Sequence, residues 1–193
     1  MWTEKLAAGA DAVRQRLPKA GGSLQIVRRF SGTVIGVDAS LRGTGIAVLD
    51  FSQAHPSLLF SSKIVCQRKL SFFQCIEKIF TEVSAILKNF AVDWAAIEQT
   101  IYVQNHRVAH TLGAARGAII AALMNGGVGI SEYAPLRIKQ AISGVGRASK
   151  EQVRRMVCNI LRVESAGSYD ESDAIAVAIC HAWAGGRCGS SST

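Results

Sequence analysis

The 193-residue sequence predicts an α/β fold built on a mixed five-stranded sheet with helices on both faces. Three observations predict this class. Hydrophobic residues make up 49% of the chain and charged residues only 19%, which is enough to bury a core of domain size. Three apolar, β-branched segments come first and are joined by short turns, which favours an antiparallel meander. Two further strand-like segments alternate with helical ones, which favours parallel pairing.

Each element follows from its hydrophobic period. Segments with strand-like apolar runs lie at residues 33–38, 45–51, 58–66, 92–98 and 129–133. Segments with helical spacing or composition lie at residues 70–87, 106–124, 135–142, 149–161 and 169–183. Thr33–Asp38 is uninterrupted and apolar until its last residue, so we expect a buried strand that ends in a carboxylate.

The charge is strongly positive and unevenly distributed. Lys and Arg number 22 against 14 Asp and Glu, a net charge of +8 that favours an anionic partner, nucleic acid before an acidic membrane. Half of this excess lies in residues 1–31, which we interpret as a flexible basic extension of a domain at residues 32–184. A Gly/Ser-rich tail at residues 185–193 follows. An organelle-targeting peptide is the alternative interpretation of the extension.

The five cysteines indicate a reducing compartment. Their number is odd and none forms a CxxC pair, so neither a disulfide framework nor a structural zinc site is expected. The longest uncharged stretch, residues 117–131, is shorter than the roughly 20 apolar residues that span a bilayer. No apolar signal region follows the start, and we expect a cytoplasmic protein without a membrane partner.

Four carboxylates stand at positions that favour chemistry. Asp38 and Glu98 each end an apolar strand, and Asp170 and Asp173 open the last helix three residues apart. If the first and fourth strands are neighbours, Asp38 and Glu98 lie side by side, and their repulsion calls for a divalent cation such as Mg²⁺ or Mn²⁺. Asp38 as a turn residue and Asp170 and Asp173 as helix caps are the alternatives.

The motifs around these acids resemble those of the RuvC family of Holliday-junction resolvases, in the ribonuclease H-like superfamily. The resemblance covers roughly residues 33–184, in family order and spacing. It is carried by Ile35-Gly36-Val37-Asp38 with Arg42-Gly43-Thr44-Gly45, Ala96-Ile97-Glu98-Gln99 with Gln104-Asn105, Leu112-Gly113-Ala114-Ala115-Arg116-Gly117, Tyr133-Ala134-Pro135 with Lys139-Gln140, Gly144-Val145-Gly146 with Lys150, and Asp170-Glu171-Ser172-Asp173-Ala174-Ile175-Ala176.

The resemblance implies a ribonuclease H-like fold and an endonuclease that resolves four-way DNA junctions in recombination and repair. Asp38, Glu98, Asp170 and Asp173 would take the catalytic positions and hold two Mg²⁺ ions, for which Mn²⁺ is a possible substitute. Phosphodiester hydrolysis would leave a 5′ phosphate and a 3′ hydroxyl. A homodimer would match the two-fold symmetry of the junction. The RuvA–RuvB branch-migration complex is the partner that the family implies.

The DNA-facing residues are expected around the acids. By resemblance Lys139 and Lys150 face DNA, and Arg147 in the same basic cluster is expected to join them. Ile101 or Tyr102 stands where the family often has an aromatic residue that probes the junction, and nearby Asn105 is also a candidate DNA contact. Another departure is Ala39-Ser40 in place of the usual Pro-Gly after the first acid.

Two other functions fit parts of the sequence. A nuclease acting on RNA or on other DNA structures would use the same acids on the same fold. The glycines around Asp38 also superficially resemble the first phosphate loop of actin-like ATPases. Those proteins need a second such domain and a second glycine loop, which this sequence lacks.

Overall fold

A computed structural model describes residues 30–100 and 105–184. The predicted tail, residues 1–29 of the predicted extension, and the candidate DNA contacts Ile101 and Tyr102 lie outside the described residues. The strands are β1 (Thr33–Asp38), β2 (Gly43–Asp50), β3 (Ser57–Val65), β4 (Trp94–Glu98) and β5 (Gly129–Tyr133). The helices are α1 (Phe72–Asn89), α2 (His106–Asn125), α3 (Pro135–Ser143), α4 (Lys150–Leu161) and α5 (Tyr169–Trp183).

The five strands form one mixed sheet in the order β3-β2-β1-β4-β5. β1 pairs with β2, and β2 with β3, in antiparallel fashion, whereas β1–β4 and β4–β5 are parallel. The predicted antiparallel meander and the two parallel strands are thus confirmed. Since β4 lies beside β1 and runs in the same direction, their carboxyl ends meet at one edge of the sheet.

Local capping sets where the helices begin. Ser71 and Gln74 form a capping box at α1, Ser149 and Gln152 form one at α4, and Ser168 and Glu171 form one at α5. The predicted first helix started at residue 70, and the Ser71 cap moves its start to Phe72. α3 begins at Pro135 and is capped after Ser143 by Gly144, whose φ of 75° suits a residue without a Cβ.

The core has two layers, one on each face of the sheet. On one face the apolar sides of α3, α4 and α5 pack together against the sheet, and on the other face α1 and α2 do so. Alternate residues of β1 supply the two layers: Val34 faces α5, while Ile35 and Val37 face α1 and α2. Helices on both faces confirm the predicted fold class. Within the described residues no helix is long and apolar enough to cross a membrane.

Two glycines let the backbone of α5 lie directly on the sheet. A Cβ on Gly36 of β1 would stand 2.1 Å from the carbonyl oxygen of Ala174, and a Cβ on Gly45 of β2 would stand 2.0 Å from that of Asp170. Both distances are far below van der Waals contact, so only glycine fits. The consequence is functional, because the first turns of α5 come to lie beside the carboxyl end of β1.

His181, near the end of α5, is fully buried. Its Nδ1 lies 2.9 Å from the Tyr133 hydroxyl, and its ring stacks on Trp94 and contacts Phe30 edge-on. Its Nε2 has no hydrogen-bond partner in the described part of the chain. Burial lowers the pKa of His181 to about 4, because the charged imidazolium would lose its hydration.

The close approach of α5 predicts that Gly36→Ala destabilises the fold by about 3 kcal/mol or more, because backbone must move to admit the methyl group. Urea unfolding measures this. The matched control is Gly113→Ala in α2, where a Cβ meets nothing within 4 Å and helix propensity favours alanine by up to about 1 kcal/mol. Equal stability of Gly36→Ala and Gly113→Ala would contradict the packing described.

The buried imidazole predicts a loss of stability on acidification. The unfolded chain takes up a proton near pH 6.5, while folded His181 does so only near pH 4, so stability falls as the pH drops through this window. Urea unfolding between pH 4.5 and 6.5 should therefore show a steeper slope for the wild type than for His181→Gln, by about 1 kcal/mol per pH unit. Equal slopes for the wild type and His181→Gln would contradict the assignment of this pH dependence to the buried imidazole.

Candidate active site: four carboxylates at one edge of the sheet

Asp38 and Glu98 end the two central parallel strands. Val37 pairs with Ile97 across β1 and β4, which places the next residue of each strand side by side. Both side chains point to the face that α5 covers, because Val34 and Ala96, which share their strand parity, belong to the core layer beneath that helix. The predicted adjacency of the two acids is present in the structure.

The helix α5 brings the second pair of acids to this edge. Asp173 lines a cleft of about 350 Å³ together with Asp38 and Glu98, and the base of the cleft is apolar, with Ile138, Val153 and Val177 among its lining residues. These acids, which come from β1, β4 and α5 and span most of the domain sequence, therefore converge in space. The cap of α5 is supplied by Ser168 and Glu171, so neither Asp170 nor Asp173 serves as the cap.

Asp170 occupies a different position from Asp173. It does not line the cleft, and its Oδ2 lies 2.5 Å from Nζ of Lys63 on the edge strand β3. Asp170 still contributes to the electrostatics of the cleft, since its charge raises the pKa of Asp38. The structure therefore places three of the four predicted acids in the cleft and the fourth beside it.

Partial burial and neighbouring like charges both shift the ionisation of the half-buried acids Asp38 and Glu98. The pKa of Asp38 rises to about 7, first because of burial and then because of repulsion from Glu98, Asp173 and Asp170. Burial and the charge of Asp173 also raise the pKa of Glu98. The cleft thus holds more negative charge than its own surroundings neutralise, which is a property of sites built for a cation or for proton transfer.

Two predicted lysines line the same cleft. Nζ of Lys150 donates to Oδ2 of Asp173 at 3.0 Å, and its side chain stays 69% exposed, free to meet a ligand from solvent. Lys139 also lines the cleft, and its charge lowers the pKa of Glu98. Arg147 is exposed in the turn before α4 and does not line the cleft. Asn105 caps α2 by accepting hydrogen bonds from the backbone of Arg107 and Val108.

The donor chemistry of the cleft suits a hard divalent cation. Its candidate ligands are carboxylate oxygens, which favour Mg²⁺ or Mn²⁺ over soft metals. As these side chains lie, no three His, Cys, Asp or Glu groups of the described chain are close enough to share one ion. Two of the four acids are instead paired with lysines, Asp170 with Lys63 and Asp173 with Lys150. The pKa of Asp38 is raised by burial and then by the neighbouring carboxylates, and it is this raised pKa, beside Glu98 and Asp173 in one cleft, that favours a cation here.

The sequence motifs do not assign a role to two residues that support the site. Arg116 of α2 donates from Nη1 to the carbonyl oxygen of Glu98 at 2.6 Å and pairs with Glu132, so it anchors the end of β4. Arg116 lies in one of the motifs that carry the family resemblance, but the motif alone assigns it no function. Lys63 carried no motif at all, and only the register of β3, in which it pairs with Gly45, could have placed it near the acids.

Comparison with known proteins gives one consistent result. The sequence profile of the family "Crossover junction endodeoxyribonuclease RuvC" matches residues 34–181. The curated protein of that name from Paraburkholderia phymatum is 38% identical over 153 residues, which cover 79% of this chain and 84% of the relative.

Solved structures agree with the sequence relatives. A Thermus thermophilus RuvC structure has a TM-score of 0.71 at 28% identity, over 78% of this chain and 93% of that one. A structure described as T. thermophilus RuvC in complex with Holliday junction substrate has a TM-score of 0.72 at 26% identity, over 79% and 93% of the two chains. The ribonuclease H-like fold that the sequence resemblance implied is confirmed.

The repulsion in the cleft predicts that Asp38→Asn stabilises the folded protein by about 1–3 kcal/mol at pH 8, because it removes a half-buried charge beside other carboxylates. Urea unfolding in a chelating buffer measures this. Asp50→Asn, at the other end of the same hairpin, is the control. The pKa of Asp50 is lowered by hydrogen bonds from Ser52, so its neutralisation should give no gain. A clear loss of stability in Asp38→Asn would contradict the conclusion that the charge of Asp38 destabilises the fold.

Proposed function

The chain belongs to the RuvC family of crossover junction endodeoxyribonucleases, and we propose that it cuts four-way DNA junctions at the cleft between Asp38, Glu98 and Asp173. It is an endonuclease of recombination and repair that resolves the junction by paired nicks, which leave ligatable 5′-phosphate and 3′-hydroxyl ends. One observation supports this location of the active site above all others. Acids far apart in the sequence converge in an apolar cleft rimmed by lysines, in a chain of net charge +8.

The family is one of metal-dependent nucleases, and we propose two Mg²⁺ ions as the metal. Asp38, central among the acids, would contribute to both ions, Glu98 to one, and Asp173 with Asp170 to the other. When bound, such ions lower the pKa of a water nucleophile and neutralise the charge that develops on the phosphate and leaving oxygen. Mn²⁺ has the same preference for oxygen ligands and is the expected substitute.

The chain's own residues position the phosphate. Lys139 and Lys150 present ammonium groups on the rim of the cleft and would bind the phosphates that flank the scissile bond. The apolar base of the cleft, with Ile138 and Val153, limits the water around the reacting groups and strengthens each charge interaction there. Arg147 and Asn105 are proposed contacts to DNA further from the scissile bond. Ile101 and Tyr102 are the proposed probes of the junction centre.

We also propose that the enzyme acts as a homodimer. A four-way junction presents two equivalent strands related by a two-fold axis, and a C2 dimer matches that symmetry. The outer face of α2 offers a surface for it, because Gly113, Gly117 and Ala121 are exposed and a Cβ on either glycine meets no atom within 4 Å. Branch-migration proteins of the RuvA–RuvB type are the proposed further partners.

The proposed chemistry predicts that Asp38→Asn and Glu98→Gln abolish junction cleavage, by at least about a hundredfold, while junction binding is kept or tightened. Each change removes a negative charge that faces phosphate. Cleavage is measured with and without Mg²⁺ on a four-way junction, and binding by gel shift in a chelating buffer. A linear duplex and an RNA hairpin are the control substrates, which should stay uncut.

Two results would contradict this proposal. A folded Asp38→Asn protein that cuts at the wild-type rate would remove Asp38 from the chemistry. Preferential cleavage of the RNA hairpin or the linear duplex by the wild type would show that the same site serves another nucleic acid.

The proposed dimer predicts that Gly117→Arg yields a monomer in sedimentation equilibrium, because the long charged side chain fills the surface that the second copy needs. Thr81→Arg, on the exposed face of α1, is the control and should remain dimeric. Paired nicking of one junction should also fall to single nicks in Gly117→Arg. A dimeric Gly117→Arg would place the interface elsewhere.

A further inference from the structure

Lys63 lies outside every motif that identifies the family, yet it contacts one of the four acids. It sits on β3, the edge strand, where it pairs with Gly45 of β2. Its Nζ lies 2.5 Å from Oδ2 of Asp170, and the two side chains are 38% and 29% exposed. The basic residues that the family resemblance assigns to DNA are Lys139 and Lys150, so this third lysine has no assigned role.

The backbone around Lys63 is arranged to permit the contact. A Cβ on Gly43 of β2 would stand 2.6 Å from Cε of Lys63, so the lysine stem occupies the space that any side chain at residue 43 would fill. Two residues earlier on β3, Ser61 donates to Oε1 of Glu171 at 3.0 Å. The edge strand therefore holds two consecutive residues of the first turn of α5, Asp170 and Glu171.

We infer that Lys63 is a positioning residue that holds Asp170 on the β3 side of the cleft and thereby sets how strongly the site binds divalent cations. The inference deepens the proposed function, since it assumes that the carboxylates hold metal. In this arrangement Asp173 lines the cleft, and Asp170 reaches it only by giving up its ion pair.

Two physical effects act in the same direction. The ammonium group and a divalent cation compete for the same carboxylate oxygens of Asp170. The positive charge of Lys63 also repels a dication in the cleft, although its partial exposure weakens this effect through solvent screening. Removing the charge should therefore tighten cation binding by about two- to fivefold, a modest change typical of a part-exposed ion pair.

The test measures Mn²⁺ binding to the full chain without DNA, by calorimetry. Lys63→Met keeps the length of the stem and removes the charge, and we expect it to bind Mn²⁺ about two- to fivefold more tightly than the wild type. Lys63→Arg keeps the charge and the reach to Asp170, and it should stay near the wild-type value. Lys88→Met, in the last turn of α1, is the control for loss of one positive charge and should change nothing.

A double-mutant cycle separates positioning from a general charge effect. In an Asp170→Asn background, Lys63→Met should no longer tighten Mn²⁺ binding appreciably, because the carboxylate that Lys63 holds is gone. The same gain in both backgrounds, or no gain in Lys63→Met alone, would overturn the inference. Circular dichroism and thermal unfolding in a chelating buffer check that each variant is folded.

The outcomes also distinguish this inference from the proposed function. If Asp38→Asn abolishes Mn²⁺ binding while Lys63→Met leaves it unchanged, the metal site stands and the role of Lys63 is refuted. If neither the wild type nor Lys63→Met shows saturable Mn²⁺ binding, the proposed metal chemistry and the inference both fail.

Discussion

The candidate active site depends on a fold that holds several carboxylates close together against their mutual repulsion. β1 and β4 are parallel neighbours, so Asp38 and Glu98 must lie side by side at the carboxyl edge of the sheet. α5 then adds the charges of Asp170 and Asp173. Burial, together with repulsion from Glu98 and from these two acids, raises the pKa of Asp38 to about 7. Lysines on three separate elements offset part of this repulsion: Lys63 on β3, Lys139 on α3 and Lys150 on α4. The remaining excess of negative charge is what a divalent cation would neutralise.

The contact between α5 and the sheet both packs the core and positions the acids of the cleft. The missing side chains of Gly36 and Gly45 let α5 lie on β1 and β2, and that contact is what brings Asp173 into the cleft. A bulkier residue at either position would separate the helix from the sheet and the acids from one another. Arg116 acts from the other side by fixing the carbonyl of Glu98. The acids of the cleft are therefore positioned by packed strands and a helix of the core and not by a loop.

Much of the fold and part of the candidate site were predictable from the sequence, because they follow from short-range patterns. The five strands and five helices of the described residues follow from hydrophobic period, and the adjacency of Asp38 and Glu98 follows from parallel strands whose ends meet. The pairing of Lys63 with Asp170 was not predictable, because it depends on the register of an edge strand and on the path of a helix more than 100 residues later. For Asp170, capping and metal binding were both open, and Ser168 supplies the cap in the structure.

The proposed chemistry requires the carboxylates of Asp38, Glu98 and Asp173 to hold hard cations jointly beside a DNA phosphate. Anomalous diffraction from crystals of the Glu98→Gln protein and of the wild type, each grown with junction DNA and Mn²⁺, tests it most directly. Two manganese peaks are expected in the wild-type cleft, between these side chains and a phosphate, and at least one of them should be lost in Glu98→Gln. Manganese bound elsewhere, or a junction whose phosphates stay clear of the cleft, would contradict it.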